Sequence, residues 1–180
     1  MLTSDEWQEA ERNSVRAWSR GDPATALADI QRVLNTGTAE QRGRALMYRG
    51  SMHEDAHDWL NARGDFIQAA GLLPPGSYAR YTAELSVGHV CELNGERQEA
   101  FAWHRAALLT CSLAIEPFSG ASAARGLMSL EPEIQPADRQ LLRDVLAKSW
   151  RILQLPGEPD LDNLPGTTNL LRSAGSQLRR

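Results

Sequence analysis

The chain has 180 residues, 42% hydrophobic and 23% charged, with a formal net charge of -4. That supplies apolar material for one globular domain, while no apolar run approaches the roughly 20 residues a membrane span needs. Arginines scattered among acids offer no phosphate-binding face, so neither nucleic acid nor a membrane is expected as a partner.

The expected elements are all helical. Thr3-x-x-Glu6 is a capping box opening a helix over about 4–20, which stops at Gly21-Asp22-Pro23. Asp22 suits the cap and Pro23 the first turn of a second helix carrying Ala26, Leu27, Ile30 and Val33 on one face. Thr38-x-x-Gln41 is another capping box, predicting a third helix to about Ala56. Helices follow over Trp59–Leu73, closed by Pro74-Pro75-Gly76, then Ser77–Leu93, ended by Asn94-Gly95, and Glu96–Leu113. Ser119–Leu130 reads as a weak helix of small residues. Pro136 opens a strong amphipathic one through Leu141, Leu142, Val145, Leu146, Ile152 and Leu153, with Trp150 in its packing. Residues Glu158–Thr168 are loop-like in composition, and Thr168–Arg180 can form a short helix through Leu170, Leu171 and Leu178 or fray. No stretch alternates as a strand does.

A period runs through the first six helices. The turns Gly21-Asp22, His57-Asp58 and Gly95-Glu96 are spaced by 36 and 38 residues. Five residues after each turn begins stands Ala26, Ala62 or Ala100; then come Ile30, Phe66 or His104, and Val33, Ala69 or Ala107. Seven before each turn sits Ser14, Gly50 or Gly88. Small residues let two helices approach to about 8–10 Å while a larger one fills the space beside them. This pattern resembles the tetratricopeptide repeat over about Ser4–Cys111, best in the middle copy with Leu46, Gly50, Ala62, Phe66, Ala69 and Pro74 in register. Glu84 and Ala10 stand where that family prefers tryptophan, His53 and Cys91 where it prefers tyrosine, and His104 replaces an aromatic. The fold implied is an antiparallel helix-hairpin array of about three repeats over 1–113, capping helices over 114–156, and a tail over 157–180.

The resemblance implies a function in protein binding, as an adaptor, chaperone or inhibitor, with a concave groove lined by the first helix of each hairpin. Projected here, that groove shows Glu11, Val15 and Trp18, then Arg44, Met47, Ser51, Glu54 and Asp55, then Thr82, Leu85, His89 and Glu92. Its expected occupant is a helix or extended peptide with apolar anchors and some basic residues. The lysine and asparagine set that some members use to hold a terminal carboxylate is missing.

One literal catalytic motif competes with that reading. His53-Glu54-Asp55-Ala56-His57 matches H-E-x-x-H, which on a continuous helix presents two imidazoles to zinc and a glutamate as general base, the arrangement of a metallopeptidase. Asp55 and Asp58 replace the uncharged residues such enzymes prefer, and the repeat register puts His57 in a turn. No cofactor, metal or catalysis is therefore expected. Cys91 and Cys111 read as packed, reduced thiols, and the N-terminus lacks the regions of a signal peptide, so a cytoplasmic location is expected.

Overall fold

The computed structural model describes residues 2–114, 120–130, 135–160, 163, 166–167 and 169–171. The protein is all-helical: α1 (Ser4–Ser19), α2 (Pro23–Thr36), α3 (Ala39–Asp55), α4 (Trp59–Leu72), α5 (Tyr78–Leu93), α6 (Arg97–Leu113), α7 (Ala121–Leu130) and α8 (Pro136–Ile152). No strand occurs among the described residues, and no helix there is long and apolar enough to cross a membrane. The helix starts follow from the sequence. Thr3 and Thr38 form capping boxes with Glu6 and Gln41, while the Asp22 and Asp58 side chains accept from Thr25 N–H and Asn61 N–H. Each satisfies a backbone donor that a helix start otherwise leaves unpaired.

The three turns aligned by sequence share one conformation. Gly21, His57 and Gly95 all have left-handed φ, at 75°, 59° and 77°. In each, the following residue's N–H donates back five positions: Asp22 to Ala17 O, Asp58 to His53 O and Glu96 to Cys91 O. This arrangement closes a helix by satisfying its last carbonyls and reverses the chain tightly enough for the next helix to pack back. Glycine adopts it without strain, and His57 is the exception.

The chain divides into two compact units, residues 1–74 and 75–180. In the first, α1 packs on α2 and α3 on α4, with α3 also against α2 and α1. Ala10, Ala26, Ile30, Val33, Ala45 and Met52 are buried together, with Trp7, Trp18 and Tyr48 packed around them. The small residues expected at the crossings do what their size requires. A Cβ on Gly50 would lie 2.6 Å from the Phe66 ring, and one on Gly43 would lie 2.9 Å from Leu73. A bidentate ion pair from Arg49 to Asp65, at 2.7 and 2.8 Å, ties α3 to α4.

In the second unit α5 packs on α6, α7 on α6 and α5, and α8 on α6. Leu108, Cys111, Leu127, Leu142, Val145, Leu146 and Leu171 form its core. Helices α7 and α8 both pack on α6, and they continue the numerical pattern of the sequence. The step from Gly50 to Gly88 leads on equally to Gly126, that from Ala62 to Ala100 leads to Asp138, and that from Phe66 to His104 leads to Leu142. The only lysine of the sequence, Lys148 on α8, donates to the carbonyls of Cys111, Ser112 and Ala114, at 3.2, 3.0 and 2.9 Å. It caps the C-terminal end of α6 with a positive charge, where the helix dipole favours one.

The remainder departs little from the sequence reading. Trp150 is buried and its indole N–H donates to Pro156 O and Gly157 O. Residues 158–160 are non-helical, whereas Gly166 and Thr167 are helical, with the Thr167 hydroxyl donating to Asp160 O at 2.6 Å. Of the expected helix over 168–180, residues 169–171 are helical with Leu171 buried. Leu178 and the rest of that segment, like Ser119 at the start expected for α7, lie outside the described residues.

Candidate functional site

In the first unit, the residues expected to face a partner lie on α1 and α3, and most are already engaged. The Trp18 indole N–H donates to Asp55 at 3.0 Å, and the Tyr48 hydroxyl donates to Glu11. Burial, reinforced by that bond, pushes the Tyr48 hydroxyl up to about 12. Arg44 pairs with Glu40 one turn earlier on its own helix at 3.1 Å. Val15 is exposed at 42%, Ser51 is exposed, and Met47 and Glu54 are half-buried. The Trp18–Asp55 and Tyr48–Glu11 bonds join α1 to α3. They leave Val15 and Ser51 as the freest members of the set.

The second unit carries a cleft. A cavity of about 450 Å³ is lined by Leu85, Ser86, His89 and Glu92 from α5, His104 from α6, and Ser122, Arg125, Gly126 and Ser129 from α7. Three residues singled out in the sequence, Leu85, His89 and Glu92, are brought together here. The fourth, Thr82, is not: its hydroxyl donates to Tyr78 O within α5, at 2.9 Å. The α7 contribution carried no motif in the sequence. Only the offset from Gly88 to Gly126 could have revealed it.

His104 forms the floor. By sequence offset it corresponds to Ile30, Phe66 and Leu142, yet it is an imidazole, and it is 3% exposed. Two glycines fit it. A Cβ on Gly88 would lie 2.7 Å from the ring and one on Gly126 would lie 2.6 Å from it. Its Nε2–H donates to the Glu92 carboxylate, which leaves Nδ1 as a buried acceptor with no hydrogen-bond partner. A neutral ring is consistent with this arrangement, because a proton on Nδ1 would have nowhere to donate. Burial pushes the imidazole below its ordinary value, against the opposing pull of Glu92.

The H-E-x-x-H residues are arranged otherwise than a zinc helix requires. Helix α3 ends at Asp55, and His57 lies beyond it in the left-handed turn. His53 is directed at Asp58 and Asp65, 3.6 and 3.8 Å away, while the His57 ring stands edge-on to Trp59. The two imidazoles therefore do not share a helical face. Among the described residues no three His, Cys, Asp or Glu side chains are grouped to hold a metal ion. The thiols are equally occupied by packing: Cys91 and Cys111 are both buried, and burial raises Cys111 to about 11, far from a reactive thiolate.

Comparison of the chain with models of protein families, with curated proteins and with solved structures returns no match. What stands on geometry is an all-helical chain whose adjacent helices pack in pairs.

Proposed function

We propose that this protein is a binding module of tetratricopeptide-like hairpins, acting as an adaptor, chaperone or inhibitor that captures a partner protein. The repeated left-handed turn at Gly21, His57 and Gly95, with its bond returning five positions, supports the repeat reading, as does the recurrent fit of a large side chain against Gly50 or Gly88. On this reading α7 and α8 are a fourth, modified hairpin. Asp138 replaces the usual alanine and is accommodated by its ion pair with Arg105 on α6.

The observation that carries the proposal is the cleft between α5 and α7. First helices of successive hairpins line the concave side of such arrays, and here two of them enclose an open, side-chain-sized space. The occupant is a helix or extended segment of a partner that lays an apolar anchor on Leu85. Affinity purification from native lysate with mass spectrometry tests this, comparing the unaltered chain with Leu85→Arg and, in the first unit, Val15→Arg. Leu85 is half-buried at the cleft wall and Val15 is exposed, so capture is expected to fall with the first variant while circular dichroism stays unchanged. Identical capture by all three proteins would remove the cleft from the account.

A further inference from the structure

The charges around these helices are not distributed as the sequence suggests. Glu11, Asp55 and Glu92 together read as an acidic face awaiting a basic partner. In the folded chain Glu11 accepts from Tyr48, Asp55 from Trp18 and Glu92 from His104. A carboxylate that already holds an internal donor is a poorer site for an incoming cation, because the new bond must replace or share an existing one. Arg125 is in the opposite condition. It lines the cleft from α7, is exposed, and has no ion pair or hydrogen bond among the described residues. Beside it stands Ser86, whereas the Ser129 hydroxyl already donates to Gly126 O at 2.8 Å and the Ser122 hydroxyl is bonded to Tyr81.

We propose that this cleft binds an oxyanion, held by the Arg125 guanidinium and the Ser86 hydroxyl and supplied by an acidic or phosphorylated side chain of the partner. The assignment rests on the binding-module reading and specifies the chemistry of that site. A guanidinium presents paired N–H donors matched to two oxygens of a carboxylate or phosphate, and the Ser86 hydroxyl adds a third donor. The cavity, at about 450 Å³, holds a whole side chain around such a group. Glu92 faces the same space and opposes an anion, so it limits affinity. Its charge and that of Arg125 therefore predict opposite effects on substitution.

The test is a titration of the full chain, followed by 1H–15N spectra, with inorganic phosphate, acetate and guanidinium as separate probes. Phosphate or acetate is expected to give saturable shifts at the Arg125 side chain and at the amides of Ser86, Ser122 and Ser129. Arg125→Gln is expected to weaken that binding by about tenfold or more, and Glu92→Gln to tighten it. Arg125 is exposed and makes no hydrogen bond or ion pair among the described residues, and an unaltered remainder of the spectrum checks that the variant stays folded. Saturation by phosphate but not acetate identifies a phosphorylated side chain; saturation by both identifies a carboxylate. The assignment is overturned if no saturable shift appears in the cleft, if Arg125→Gln binds as well as the parent, or if guanidinium binds there and Glu92→Gln abolishes it. Capture of a partner that still depends on Leu85 in any of those cases would leave the binding-module reading standing without the anion.

Discussion

At the scale of single residues, two histidines sit where their chemistry is at odds with their position. His57 holds a φ of 59° in a turn whose two counterparts are glycines. An L side chain in that region costs on the order of 1 kcal/mol, part of which its edge-on contact with Trp59 offsets. His57→Gly is therefore expected to stabilise the protein by roughly 0.5–1 kcal/mol, read as a higher urea midpoint with unchanged slope. His104 stands where Phe66 stands one unit earlier, and its depressed proton affinity links it to pH. A histidine harder to protonate when folded leaves stability unaffected above its ordinary value near 6.5 and subtracts stability as pH falls through its lower folded value. Chemical denaturation from pH 7.5 down to pH 4.5 is expected to show that decline, with His104→Phe removing the part due to this ring. Equal decline in both proteins would show that the buried ring is not its source.

At the scale of helices and their crossings, glycine has two opposite meanings in one hairpin. Gly50 faces the Phe66 ring, where a Cβ would sit at 2.6 Å, whereas nothing lies within 4 Å of a Cβ on Gly64. Gly50→Ala is expected to cost about 1–3 kcal/mol by forcing α3 and α4 apart. Gly64→Ala is expected to add about 0.5–1 kcal/mol through helix propensity alone. Thermal melts of the two variants should move in opposite directions from the parent. This contrast was half legible in the sequence. The position of Gly50 seven residues before a turn marked it as a contact, because repeat spacing encodes which side chains meet. The turn geometry at Gly21, His57 and Gly95 was legible for the same reason. The cleft was not. Its α7 wall uses Ser122, Arg125 and Ser129, polar residues with no motif, and Asp138 stands where the spacing leads one to expect an alanine. The engagement of Glu11, Asp55 and Glu92 by Tyr48, Trp18 and His104 was equally invisible, since those pairs join different helices and depend on side-chain direction.

At the scale of the whole molecule, each of the two units has a buried cluster of its own, one built from α1 to α3 and the other from α5 to α8 with Leu171. Chains built of stacked hairpins derive stability from local interfaces, so openings need not be global. Native-state hydrogen exchange is expected to reflect that division. Gly50→Ala should lower protection chiefly across α1 to α4, and Lys148→Met, which strips three carbonyls at the C-terminal end of α6 of their donor, should lower it chiefly across α6 and α8. Loss of protection spread evenly over all eight helices by either change would instead mark one cooperative block.

The lysine clasp on α6 has a practical corollary. Because Lys148 is the sole side-chain amine of the sequence and its ammonium is held by three backbone oxygens, amine-directed acylation of the native protein should modify the α-amino group first. Labelling at position 148 would then report, molecule by molecule, how often the end of α6 lets go.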